Sequence, residues 1–155
     1  MSIEQNLRTQ PLSLVLRSDP AQVSPGTRLT EAIATMRDAG FGCVLVAVKK
    51  KLVGIFTERD LLHRVLGSGA KLSSRVGEFM TKDPATLGPQ ASIAEAIVAM
   101  DRGGYRHIPI VDRSGRPVGI VSVKDVTDFI VEHYPVEIYN LPPDPGKVST
   151  RPEGG

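Results

Sequence analysis

Two stretches of this chain carry residue types that could do chemistry at matched spacing. Gly54-Ile55-Phe56-Thr57-Glu58-Arg59-Asp60 and Gly119-Ile120-Val121-Ser122-Val123-Lys124-Asp125 share the pattern Gly-apolar-apolar-Thr/Ser-x-basic-Asp. A hydroxyl three residues ahead of a carboxylate can close a capping box, satisfying backbone donors at a helix start. The same groups can also bind a ligand. The free N–H groups and dipole of a helix N-terminus favour anions, and an Asp one turn in can accept two hydrogen bonds from a vicinal diol such as a ribose. Capping accounts for the hydroxyl and the carboxylate. It does not require Gly54 and Gly119, which let another group approach the backbone closely. Nor does it require Arg59 and Lys124, which oppose the helix dipole by about 0.3–1 kcal/mol and suit a visiting phosphate. The two readings are compatible, because Thr57 and Ser122 can cap and still face a ligand.

The elements that position these motifs repeat as well. Shifting the sequence by 64 positions matches Asp19 with Asp83, Pro20 with Pro84, Ala21 with Ala85 and Pro25 with Pro89. The register continues through Glu31/Glu95, Ala32/Ala96, Ile33/Ile97, Met36/Met100 and Gly40/Gly104. After one inserted residue, Val53/Val118, Gly54/Gly119, Ile55/Ile120 and Asp60/Asp125 follow at an offset of 65. Internal repetition of this kind organises the fold. It divides the chain into repeats at 12–66 and 76–131, a linker at 67–75 and a Pro/Gly-rich tail at 136–155, read as flexible.

Each repeat reads β-α-β-β-α. Leu29, Ala32, Ile33 and Met36 fall at helical spacing, as do Ile93, Ala96, Ile97 and Met100. Thr27 is the expected N-cap of the first helix, Ser92-x-x-Glu95 is a capping box for its counterpart, and Gly40 and Gly103-Gly104 end them. Strands are expected at Cys43–Val48, Val53–Phe56, Ile108–Val111 and Pro117–Val121, with short extended segments at Gln22-Val23 and Thr86-Leu87. Closing helices over Glu58–Leu66 and Val123–Val131 bury Leu61, Leu62, Val65 and Val126, Phe129, Ile130, and Tyr134-Pro135 stops the last one. A lone half has too small a core, so the two sheets should pack together about a pseudo-twofold axis.

Composition narrows the function classes. The 155 residues include 19 Lys+Arg against 17 Asp+Glu with the signs interspersed, and no Trp. That is neither a basic footprint nor a base-stacking platform for nucleic acid. The longest apolar run, Cys43 to Val48, is far short of a membrane span, and the polar start MSIEQNLRTQ lacks a signal-peptide core. A single cysteine excludes an intrachain disulfide and a thiolate metal cluster. Cys43 starts a buried strand with no His partner motif, His63 lies on an exposed helix face, Lys49-Lys50-Lys51 is a solvated turn, and Met36 and Met100 are core. No paired carboxylates, Ser-His-Asp set or Walker loop is present, so no catalytic or metal residues are assigned. The expectation is a cytoplasmic protein that is not an enzyme.

The doubled Gly-x-x-Thr/Ser-x-x-Asp motif, the lead-in Met80-Thr81-Lys82-Asp83-Pro84 and the run Arg106-His107-Ile108-Pro109-Ile110-Val111-Asp112 resemble CBS (cystathionine β-synthase) repeats. Over about residues 12–131 the chain resembles a stand-alone bacterial CBS pair, an α/β module of the α+β type. The resemblance implies a regulatory sensor of adenosine-containing ligands: AMP, ADP or ATP, with S-adenosylmethionine and NAD as further candidates. Such a sensor forms a homodimer and passes its ligand state to a partner protein that the sequence does not identify. By the same resemblance, Asp60 and Asp125 hold ribose hydroxyls, with Thr57 and Ser122 beside the ribose-phosphate.

Each ligand is then expected between the motif of one repeat and the strands of the other. That sets Asp60 opposite Thr86, Leu87, Arg106, His107, Ile108 and Pro109, and Asp125 opposite Gln22, Val23 and the Gly42–Leu45 strand with Val44. Because Arg106-His107 align with Gly42-Cys43, the Asp60 cleft is expected to hold phosphate more tightly. The alternative is a ligand-independent dimerisation scaffold acting through protein contacts only. Intact motifs in both repeats favour the sensor.

Overall fold

A computed structural model describes residues 2–135. The expected tail and Met1 lie outside them. In chain order the elements are α1 (Ile3–Thr9), β1 (Arg17–Ser18), β2 (Gln22–Val23), α2 (Leu29–Ala39), β3 (Cys43–Val48), β4 (Lys51–Thr57) and α3 (Glu58–Asp60), which continues as a π-helix over Leu61–Leu66. After the linker come β5 (Thr81–Lys82), α4 (Ile93–Gly103), β6 (His107–Val111), β7 (Pro117–Ser122) and α5 (Val123–His133). The mixed α+β architecture with two β-α-β-β-α repeats is the expected one.

The repeats exchange their leading segments. One sheet has the order β2-β3-β4-β5 and the other β1-β7-β6, so each takes an edge strand from the other repeat. Around those strands the exchange is symmetric. Pro11 bridges to Ser92 and Arg75 to Arg28, while Leu12 N donates to Ala91 O and Val76 N to Thr27 O, both at 2.8 Å. Leu12 and Val76, equivalent in the repeat, are each fully buried in the other repeat's core. Asp19 and Asp83 carry φ of 53° and 46°, in the left-handed region that Asp tolerates better than most residues. They turn the chain from the exchanged strand back to its own sheet.

Three apolar clusters result. One lies between α1, α4, α5 and the β6–β7 sheet, and one between α2, the first-repeat helix and the β3–β4 sheet. A third, of Cys43, Leu45, Ile55 and Ile120, joins the two sheets. The α1 helix was not anticipated. Its polar sequence conceals a Ser2–Gln5 capping box and a single buried Leu7 docked on the second-repeat core.

Two further readings are corrected. Thr27 does not cap α2. The N-cap is Arg28 without a side-chain bond, because the linker carbonyls of Ser74 and Leu72 take the first amides, Leu29 N and Thr30 N, at 2.8 and 3.2 Å. Leu62 is not core. The π-helix turns it outward to 60% exposure, while Val65 stays fully buried.

Candidate functional site

At both strand-to-helix junctions the hydroxyl and the carboxylate form a reciprocal capping box. Asp60 N donates to Thr57 Oγ1 at 3.2 Å and Thr57 N to Asp60 Oδ2 at 3.0 Å. Asp125 N donates to Ser122 Oγ at 3.1 Å and Ser122 N to Asp125 Oδ2 at 2.8 Å. Each box is steadied across the strand by a backbone bond to the first helical amide, Glu58 N to Gly42 O at 3.1 Å and Val123 N to Arg106 O at 3.0 Å. Capping therefore engages Oδ2 in both copies and leaves Oδ1 for something else.

What reaches Oδ1 differs. Thr81 on β5 donates its hydroxyl to Asp60 Oδ1 at 3.2 Å, and Arg64 approaches the same oxygen at 3.5 Å from the next helical turn. Arg17 on β1 donates Nε to Asp125 Oδ1 at 2.8 Å and lies over the Phe41 ring, 5.2 Å from its centre. Both carboxylates are nearly buried, with side chains 8% exposed.

A cavity opens in front of each carboxylate. One of about 440 Å³ is lined by Thr57, Arg59, Asp60, Leu62, His63, Thr81, Tyr105, Arg106 and His107 among others. The second, about 580 Å³, is lined by Arg17, Phe41, Ser122, Lys124 and Asp125, and again by Arg106 and His107. Glu58 and Gly42 also border both. Either volume suits a nucleotide-sized ligand. Arg106 and His107 thus sit on a wall common to the two cavities. The expected assignment of Arg106 and His107 to the Asp60 side alone is corrected, because the start of β6 runs between the cavities.

Several expected contacts are not at either cavity. Gly54 and Gly119 lie under the exchanged strands. A Cβ on Gly54 would fall 3.0 Å from Thr81 O, and one on Gly119 3.0 Å from Arg17 O. The close approach that these glycines permit is that of β5 and β1. Val44 and Ile108 are fully buried core residues and Pro109 is buried beside them. Gln22 and Val23 pair in parallel with Leu45 and Val46, and Leu87 likewise with Ile110, which commits those segments to the sheets. Thr86 is exposed outside both cavities.

The two helix-start cations have partners of their own. Arg59 Nη1 donates to Gly104 O at 3.1 Å, serving the carbonyl end of α4, and Lys124 Nζ pairs with Asp128 at 2.7 Å. Burial, the largest influence on His107, lowers its pKa from 6.5, opposed by the Phe41 backbone and by Glu58 and Asp125. Burial likewise pushes the Cys43 thiol up to about 12, which keeps it protonated and unreactive.

Sequence reading missed Arg17, Phe41, Glu58, Thr81 and Tyr105. A signal was available, since the 64-residue offset pairs Arg17 with Thr81 and Phe41 with Tyr105. His63 is exposed as expected, yet it borders the Asp60 cavity. Among the described residues no helix is long and apolar enough to cross a membrane, and no cluster of three or more His, Cys, Asp or Glu could hold a metal ion.

This fold, a doubled and strand-exchanged β-α-β-β-α module with a cavity in front of each motif carboxylate, defines a class of tandem-repeat modules. The CBS domain family model matches residues 13–67 and 76–132. The chain belongs to the CBS domain family as a tandem pair. It is 39% identical over 123 residues, 79% of this chain, to an inosine-5'-monophosphate dehydrogenase of Korarchaeum cryptofilum, and spans only 24% of that enzyme's length. A solved CBS-domain-containing protein from Agrobacterium tumefaciens is 31% identical, with a TM-score of 0.70 over 77% of this chain and 92% of that one. A CBS domain protein from Pyrobaculum aerophilum, solved complexed with AMP, shares the fold at 22% identity and a TM-score of 0.70, covering 74% of this chain and 88% of that one.

Proposed function

We propose that this chain is a regulatory sensor that binds an adenosine-containing ligand, of the AMP, ADP or ATP class, between its two repeats. One observation carries the reading. At Asp60 a nearly buried carboxylate, one oxygen of which is held by its capping box, borders a cavity that Arg106 and His107 also line. A ribose diol can bond the carboxylate, and Arg106 can make charge-assisted contacts to phosphate. Leu62, exposed by the π-helix, and Tyr105 offer apolar surface for the base. The AMP held by the Pyrobaculum relative supports this choice, with S-adenosylmethionine and NAD as the competing adenosine compounds.

The role is regulation, not catalysis. The match to the dehydrogenase covers 24% of that enzyme, and the hydroxyl–carboxylate pairs of both motifs are spent on capping the helices. The active form is a cytoplasmic homodimer that relays ligand state to a protein target. Leu66, 58% exposed on the first-repeat helix and outside both cavities, supports a helix-mediated dimer, for which isologous twofold closure is the common solution.

Thermal-shift titration with AMP, ADP, ATP, S-adenosylmethionine and NAD tests the sensor. Ligand at about 100 times its dissociation constant adds about 2.7 kcal/mol to the folded state. No shift with any of the five would leave the ligand-independent scaffold as the better reading. Light scattering that finds a monomer at micromolar concentration, with and without ligand, would remove the dimer.

A further inference from the structure

The exchanged strands deliver different side chains to the two motif carboxylates. Thr81 on β5 and Arg17 on β1 occupy equivalent places in the repeat. Thr81 brings a neutral hydroxyl, 3.2 Å from one Asp60 oxygen and 3.4 Å from the other. Arg17 brings a guanidinium whose Nε is 2.8 Å from Asp125 Oδ1, while Ser122 N holds Oδ2 at 2.8 Å. Both oxygens of each carboxylate are engaged, but at Asp125 one is held at 2.8 Å by a cation that itself borders the cavity. Asp60 also has an arginine neighbour, but Arg64 borders neither cavity. Its Nη1 donates at 2.8 Å to Met80 O and at 3.4 Å to Phe79 O, and its Nε stays 3.5 Å from Asp60 Oδ1.

We infer that Arg17 sets the stoichiometry of nucleoside binding. In the Asp125 cleft it takes the place that a ribose diol would take at Asp60, so the chain binds one adenosine-type ligand. This rests on the reading of the Asp60 cleft as an adenosine site. A hydroxyl competing for Asp60 meets the neutral hydroxyls of Thr81 and Thr57 and a looser 3.5 Å contact from Arg64. A hydroxyl competing for Asp125 must displace a short charge-assisted bond, roughly twice as strong as a neutral one. It would also strip Arg17 of its carboxylate beside two other cations of the same cavity, Arg106 and Lys124. Phe41, stacked on the guanidinium, holds the plug in place.

The test is calorimetric titration of the full chain with AMP. The wild type should bind one AMP per chain, with any second event at least about tenfold weaker. Arg17→Thr, which installs the side chain found at the equivalent position, should bind two. Adding Asp125→Ala to Arg17→Thr should return the count to one. Arg17→Met keeps an apolar stem against Phe41 without the cation, and should also bind two if Arg17→Thr unfolds. Two AMP of comparable affinity in the wild type overturn the inference, as does a count of one in both the wild type and the folded Arg17 variants. A wild type that binds none while Arg17→Thr binds one would overturn the Asp60 reading and uphold the role of Arg17. No binding by any of the proteins overturns both.

Discussion

The Asp60 and Asp125 clefts are the same construction furnished differently. Both rest on a hydroxyl–carboxylate capping box at a strand-to-helix junction, with hydrogen bonds of 2.8–3.2 Å. Both glycines lie beneath an exchanged edge strand. Yet the exchanged strand brings a threonine to one carboxylate and an arginine to the other, one helix continues as a π-helix and the other as regular α, and one first-turn residue is Glu58 where the other is Val123. Duplication has preserved the backbone device that presents a carboxylate. The Thr81 and Arg17 that meet the carboxylates have been free to diverge, because they come from other segments. Likeness of motif therefore does not imply likeness of ligand.

The largest effect should come from the carboxylate of the open cleft. Asp60→Ala should weaken AMP binding by up to about 3 kcal/mol, roughly a hundredfold, for about 1 kcal/mol of stability lost with the cap. Calorimetry of the mutant at unchanged affinity would return Thr57 and Asp60 to capping alone and abolish the functional difference between the clefts.

The backbone device can be broken at the other end. Gly119→Ala places a methyl 2.8 Å from Leu16 Cδ1 and 3.0 Å from Arg17 O. Overpacking against a neighbouring strand costs about 1–3 kcal/mol, here spent in displacing β1 and the Arg17 that it carries. Denaturant unfolding should show this loss, and a stability equal to wild type would mean that β1 is not held where it appears.

Arg106 tests the wall that the clefts share. Arg106→Ala should cost about 1.5 kcal/mol, some tenfold, in AMP affinity and leave adenosine binding unchanged. An equal loss for adenosine would assign Arg106 to the base or ribose, not to the phosphate.

The smallest effect is a pH dependence from His107. Its folded pKa lies below 6.5 because burial disfavours the charged ring. The unfolded chain then binds more protons between the folded pKa and about 6.5, so stability falls as pH drops through that window and levels off below it. Melting temperatures measured against pH should show this decline, and His107→Gln should flatten it. A mutant with the wild-type profile would place the titration elsewhere.

Much of this was legible from the residues. The helix spacing of Leu29, Ala32 and Met36, the Ser92–Glu95 box and the glycine ends of α2 and α4 all depend on neighbours within a turn or two, where spacing and local chemistry suffice. The doubled motif was legible for the same reason, since Thr57 and Asp60 bond each other three residues apart. Thr27 failed as a cap because its competitor, the linker at Ser74, is distant in sequence. The opposing segments at Gln22, Leu87 and Pro109 failed as cleft walls because sheet pairing had already committed them.

The sequence by itself determined the two repeats, their element order and the carboxylate each presents, since these follow from periodicity, capping and self-similarity. Only the tertiary structure decided the partners. The exchange of β1 and β5 sets Arg17 on Asp125 and Thr81 on Asp60, at separations of 108 and 21 residues. No local rule fixes such pairings. They follow from which edge each strand can reach once Leu12 and Val76 are buried in the opposite core.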